Sequence, residues 1–176
     1  MKNLKYLLVV FLALGITFCT DGQLRRTVYG NNHVVKKERE AGRFTGLRVS
    51  SGIDVYLKQA DKESILVEAD ENLHEYILTE IRDGVLHVYS EANIMRAEMK
   101  RVYVSMKDIT SLKTSSAGDI IGETPVKTDK LELSATSAGD IKLEVYVKEV
   151  EADISSSGDV TLTGEADILN ADLSSA

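Results

Sequence analysis

The chain has 176 residues, a formal net charge of −7, one proline, one cysteine and no tryptophan. So acidic a chain excludes nucleic acid as a partner, because phosphate backbones demand a basic surface. The single cysteine, Cys19, excludes an internal disulfide, so the fold must be held by its core and its backbone ladders.

Lys2 and Lys5 precede an apolar run from Leu7 to Phe18. The run is too short for a membrane span and has the form of a secretion signal, assigned to residues 1–22. Cys19 ends the run as a lipoprotein cysteine would and is the candidate lipidation site, while ordinary cleavage near Gly22-Gln23 is the alternative. Residues 23–176 are then expected to form one exported domain, in the periplasm, the outer membrane or at the cell surface. A lipid anchor would be its only membrane attachment.

Residues 23–46 mix basic and acidic side chains and read as a solvated lead-in with a short strand around His33 to Val35. Ile53, Val55 and Leu57 alternate with polar residues and mark a strand, and Ile65 to Ala69 reads as the next. A single helical turn is expected from Glu71 to Tyr76. Ile77 to Arg82 and Val85 to Tyr89, separated only by Asp83-Gly84, give a strong hairpin signal. Arg101 to Met106 is a further strand.

From there the chain repeats itself. Ser115-Ser116-Ala117-Gly118-Asp119-Ile120 returns as Thr136-Ser137-Ala138-Gly139-Asp140-Ile141 and as Ser155-Ser156-Ser157-Gly158-Asp159-Val160, and Ser174-Ser175-Ala176 begins a fourth copy. Ser50-Ser51-Gly52-Ile53-Asp54 is a divergent early one. Before each motif apolar residues stand at alternate positions, as in Leu131, Leu133, Ala135 and Val150, Ala152, Ile154, which predicts a strand with one face inside. An interval of about 20 residues with one turn per unit predicts a solenoid of stacked parallel ladders. Gly52, Gly118, Gly139 and Gly158 are the structural turn residues, supplying a positive φ or a close backbone approach.

Stacking in register would align Asp119, Asp140 and Asp159 into a column about 5 Å apart, where a calcium ion bridging carboxylates would relieve their repulsion. These three are the candidate metal ligands; serine hydroxyls and backbone N–H groups could stabilise them equally well. No catalytic or cofactor-binding residues emerge and no cofactor is expected. His33, His74 and His87 lack metal-ligand spacing, the serines recur as turn residues rather than as one nucleophile, and Lys142 near Asp140 and Asp159 is the one hint of a lyase-like cluster. Tyr56, Tyr76, Tyr89, Tyr103 and Tyr146 could offer a sugar-stacking face.

The signal-like segment, Phe44-x-x-Leu47-x-Val49, Gly52-Ile53-Asp54-Val55-Tyr56-Leu57, Glu71-Asn72-Leu73, Asp83-Gly84-Val85-Leu86 and the Ser-Ala-Gly-Asp-Ile copies together resemble the bacterial putative auto-transporter adhesin family, also called the head GIN domain. The resemblance covers essentially the whole exported chain. It implies a right-handed parallel β-helix similar to pectin-lyase-type solenoids, here with coils of about 19–21 residues. It also implies no catalytic residues and an adhesion role, with a protein or glycan ligand at the cell surface. Family members usually continue through more coils, so the chain is expected to be cut short at its C-terminal end. A carbohydrate-active, pectin-lyase-like enzyme, or a calcium-stabilised glycan-binding protein, on the same scaffold is the competing expectation.

Overall fold

A computed structural model describes residues 25–174; the expected signal at 1–22 and Cys19 lie outside them. Fourteen strands follow in order: β1 (Thr27–Tyr29), β2 (Val34–Arg39), β3 (Gly46–Val49), β4 (Asp54–Gln59), β5 (Ser64–Asp70), β6 (Ile77–Arg82), β7 (Val85–Ser90), β8 (Asn93–Arg96), β9 (Lys100–Met106), β10 (Ser111–Thr114), β11 (Asp119–Gly122), β12 (Val126–Ala135), β13 (Asp140–Ser155) and β14 (Asp159–Ser174). One 3₁₀ turn, Glu71–Leu73, lies where the helical turn is expected, and the described residues contain no α-helix.

The all-β expectation holds, but the expected right-handed parallel β-helix of 19–21-residue coils does not. Twelve strands form one mixed sheet in the order β2-β5-β9-β4-β11-β13-β12-β10-β3-β7-β6, with β14 on the far side of β13. The sheet curls into a nearly closed, barrel-like wall around one core, and β1 and β8 make a separate parallel pair. Two features defeat a uniform solenoid. The first is antiparallel pairing: β5 runs against both β2 and β9, and β6 against β7. The Asp83-Gly84 turn, with φ of +51° and +74°, can join only antiparallel neighbours. The second is the length of β13. Its first residues pair with β11 and the remainder with β12, so it fuses two arms of the wall into one continuous sheet.

The repeated motif acts inside this sheet as a register mark. Asp119 pairs with Asp54 and Asp140, and Asp140 with Asp159. Farther along, Thr114, Ala135 and Ile154 form one rung series, and Leu112 lies opposite Leu133 and Leu47. Alternation then buries one face. Phe44, Leu47, Val49, Leu112, Leu131 and Leu133 are within 2% of full burial, whereas Ile154 is only partly covered. On β14, Leu169 and Leu173 are 60% and 75% exposed because no described strand flanks its outer edge.

The corners separate the two roles expected of their glycines. Positive φ falls on the two residues before each later glycine: Ser116-Ala117, Ser137-Ala138 and Ser156-Ser157. Gly118, Gly139 and Gly158 are not left-handed. The early copy has the same backbone in Ser51-Gly52, so Gly52 occupies the place of Ala117, and Ile53 that of Gly118. The later glycines serve close approach instead: a Cβ on Gly158 would fall onto the backbone of Ala135 and Thr136. Successive corners are bonded to one another through Gly52 N to Ser116 O, Ala117 N to Ser137 O and Ala138 N to Ser156 O, at 2.9–3.1 Å.

A buried carboxylate ties the less regular half together. Asp70 is fully buried; its Oδ2 accepts from Asn32 N (2.9 Å) and Glu98 N (3.3 Å), and its Oδ1 from Met99 N (3.0 Å). Burial alone would push the carboxyl up, but these N–H donors outweigh it and hold Asp70 below its ordinary value.

Three substitutions test these contacts. Gly158→Ala is expected to destabilise the domain by about 2 kcal/mol through backbone overpacking. Ala117→Gly should leave stability unchanged or raise it by up to about 1 kcal/mol, since relief of left-handed strain exceeds the added unfolded-state entropy; paired denaturant titrations check both. Asp70→Ala is expected to cost about 3 kcal/mol at neutral pH by removing the buried acceptor of three part-buried N–H groups. Because the folded carboxyl lies low, its contribution is full above the ordinary carboxylate range and is lost as pH falls through the folded value. The wild-type and Asp70→Ala unfolding free energies should therefore converge in acid.

Candidate binding face

The strand register that stacks the corners also stacks their acids. The column is one residue longer than expected: Asp54, Asp119, Asp140 and Asp159, closed at the β9 end by Arg101 opposite Asp54. Asp119, in the middle, is half-buried, and Asp140 and Asp159 are exposed. Burial first, and then the charges of Asp54 and Asp140, push the Asp119 carboxyl above its ordinary value, against the lowering effect of the Asp140 N–H and Lys100. Asp140 N donates to Asp119 Oδ1 at 3.3 Å. Among the described residues no three His, Cys, Asp or Glu side chains converge as a metal-binding group. The candidate calcium ligands thus form an outward row along one face, spaced by the ladder rather than gathered around a point.

Lys142 stands two residues along from Asp140 on the same outward face and forms no ion pair among the described residues. The histidines are dispersed. His33 Nδ1 meets Glu71 Oε2 at 3.1 Å, His74 is buried with Nε2 on Val35 O, and His87 is half-buried on β7. Burial, followed by the charges of neighbouring cations, pushes both His74 and His87 down.

The tyrosines do not form one face. Tyr56 and Tyr103 stack at 5.4 Å between centroids, with Arg101 over the first and Lys36 over the second at 5.5 and 5.7 Å. The Tyr103 hydroxyl donates to Glu68 at 2.8 Å and is that carboxylate's main lowering influence. This network is closed on itself. Tyr76 lies under Arg26 and Tyr89 bonds to Glu80.

Tyr146 is different. It sits on β13 between Lys127 of β12 and Glu165 of β14, in a groove of about 640 Å³ that also takes in Asp108, Asp129 and Lys148. Its ring is 41% exposed, with Lys127 Nζ 5.9 Å from the centroid and its hydroxyl donating to Glu144 at 2.9 Å. That hydrogen bond, reinforced by the Glu144 charge, pushes the phenol up and keeps it a neutral donor. Lys148 and Asp129 pair across the rim at 2.8 Å.

The floor is clamped from the other arm of the sheet. Gln59 Oε1 accepts from Lys127 N at 2.8 Å, and Gln59 Nε2 donates to the carbonyls of Lys127 and Lys107 at 3.1 Å. The groove therefore presents a fixed aromatic face inside a charged rim, an arrangement suited to stacking the apolar face of a sugar while rim groups bond its hydroxyls. Alternation along β13 placed Tyr146 outside. Asp108 comes from the turn after β9, and Gln59, which holds Lys127, from the end of β4; neither carried a local signal.

Replacing Asp119 by Asn keeps an acceptor for Asp140 N and removes the like charge. Since the folded carboxyl is raised, it costs stability as pH rises out of the ordinary carboxylate range. Asp119→Asn should raise the thermal midpoint at pH 7, and the gain should vanish in acid. EDTA should leave the wild-type midpoint unchanged.

The comparisons with known proteins bear on the family and the fold. The profile described as "putative auto-transporter adhesin, head GIN domain" matches residues 43–176. A crystal structure described as a putative adhesin of Parabacteroides merdae is 24% identical with a TM-score of 0.72, over 82% of this chain and 62% of that one. Another from Bacteroides fragilis is 15% identical with a TM-score of 0.76, over 81% and 67%. A structure from Parabacteroides distasonis described as a putative lipid binding protein is 20% identical with a TM-score of 0.67, over 85% and 75%. The chain thus spans about three-fifths to three-quarters of these structures' own lengths, and at such identities they speak to fold alone. No curated protein matches the chain.

Proposed function

This chain belongs to the head GIN domain family, and we propose that it is an exported, non-catalytic binding module of the cell envelope that holds a glycan in the groove around Tyr146. The observation that carries this reading is the exposed Tyr146 ring, fixed over a clamped floor and framed by Lys127, Asp129 and Lys148. Export is supported by the signal-like first 22 residues, with Cys19 as the candidate anchor point. No helix among the described residues is long and apolar enough to cross a membrane.

The enzymatic alternative leaned on a pectin-lyase-like helix, which the mixed sheet replaces. Its one candidate cluster, Lys142 with Asp140 and Asp159, lies in the outward acid row rather than in the groove. A binding module needs only what the groove offers: a stacking surface, hydrogen-bonding groups and little rearrangement.

The test is retention of the chain on an array of neutral oligosaccharides, with pectin and alginate included. Tyr146→Ala is expected to weaken retention at least tenfold, about 1.4 kcal/mol, with an unchanged melting midpoint because the ring is outside the core. Release of unsaturated or reducing sugars from any arrayed glycan would overturn the non-catalytic reading. Equal retention by Tyr146→Ala would remove the groove from it.

A further inference from the structure

At the opposite end of the sheet from Tyr146, three arginines distant in sequence come together. Arg48 is on β3, Arg82 ends β6, and Arg25 precedes β1; with Ser51, His87 and Tyr89 they border a cavity of about 220 Å³. Arg48 and His87 are direct partners across the β3–β7 ladder, and Lys113 of β10 is the next rung beyond Arg48. Arg82 is held in place by Glu80 and by the Tyr89 hydroxyl, which itself donates to Glu80 at 2.8 Å. Arg25 and Arg48 have no carboxylate partner among the described residues.

This concentration of positive charge stands in a chain whose formal charge is −7. Acids are plentiful elsewhere, yet at His87 the charges of Arg82 and Arg48 outweigh those of Glu80 and Asp83. Clustered like charges repel, and a concave site lined by one sign focuses its field on an incoming counter-ion. Guanidinium groups present planar forks of N–H donors that match the oxygens of phosphate or sulfate in pairs, and the Ser50 and Ser51 hydroxyls add further donors.

We propose that the Arg25–Arg48–Arg82 cavity is an anion-binding site for a phosphate or sulfate monoester. Arg48 and Arg25 grip the anion, and Arg82, fixed by Glu80 and Tyr89, completes the cradle. The site is separate from the Tyr146 groove, so either can fail without the other.

The experiment is a thermal-shift and calorimetric titration of the full chain with sodium phosphate, sodium sulfate and glucose 6-phosphate, each against sodium chloride at matched ionic strength. Phosphate and glucose 6-phosphate are expected to raise the midpoint, as any ligand of the folded state does, while chloride does not. Arg48→Gln should weaken binding at least tenfold with its midpoint in chloride unchanged. Arg48→Lys should recover part of the loss, and Lys142→Gln, a surface cation outside the cavity, should bind as wild type. Equal responses to phosphate and chloride, or full binding by both Arg48→Gln and Arg82→Gln, would overturn the site. Capture by phosphatidylglycerol vesicles that glucose 6-phosphate fails to compete would overturn the soluble monoester in favour of a lipid surface.

Discussion

Parallel backbone hydrogen bonding leaves no freedom of register once a corner has been placed, and the remaining architecture depends on that constraint. Each corner N–H reaches the carbonyl of the next corner, so equivalent residues must lie in columns. A column of Ala135 between Thr114 and Ile154 sets a small side chain beside a large one along the inward face. The same register forces Asp54, Asp119, Asp140 and Asp159 into line, although four carboxylates in a row are electrostatically unfavourable. Backbone pairing wins because each rung contributes at every strand, whereas exposed like charges at that spacing repel by under about 1 kcal/mol in water.

The columns also sort charge across the molecule. On the outward face one row passes from His87 and Arg48 through Lys113 and Ser134 to Asp153 and Asp172. An overall charge of −7 thus conceals a basic corner at Arg25, Arg48 and Arg82 and an acidic end at β13 and β14. The candidate sites follow this division: the aromatic groove lies toward the acidic end, the arginine cavity at the basic one. Net charge was sufficient to argue against nucleic acid but carried no information about where an anion would be attracted.

Where expectation and structure part, the reason lies in pairing partners. A stretch such as Ile65 to Ala69 announces a buried face by alternation, and that face is buried. Nothing in its residues tells that β5 runs antiparallel between β2 and β9. The corner motif likewise marked turns at the correct residues but left open where the left-handed conformation falls, because a glycine can serve either a positive φ or a close approach. Here Ser116-Ala117 bear it and Gly118 yields space for the adjacent corner instead. That exchange is a tertiary effect: the approaching backbone belongs to a different strand.

The sequence alone determined what is local or periodic: the alternation that separates inside from outside, the Asp83-Gly84 hairpin, and the stacking of the Gly-Asp copies, since each follows from backbone geometry over a few residues or from an interval of about 20. Only the tertiary structure decided that one mixed sheet curls into a nearly closed wall, that Asp70 gathers N–H groups from two remote loops, and that Arg25, Arg48 and Arg82 share one cavity. Those outcomes depend on long-range hydrogen-bond partners, which alternation constrains to a face but never to a neighbour.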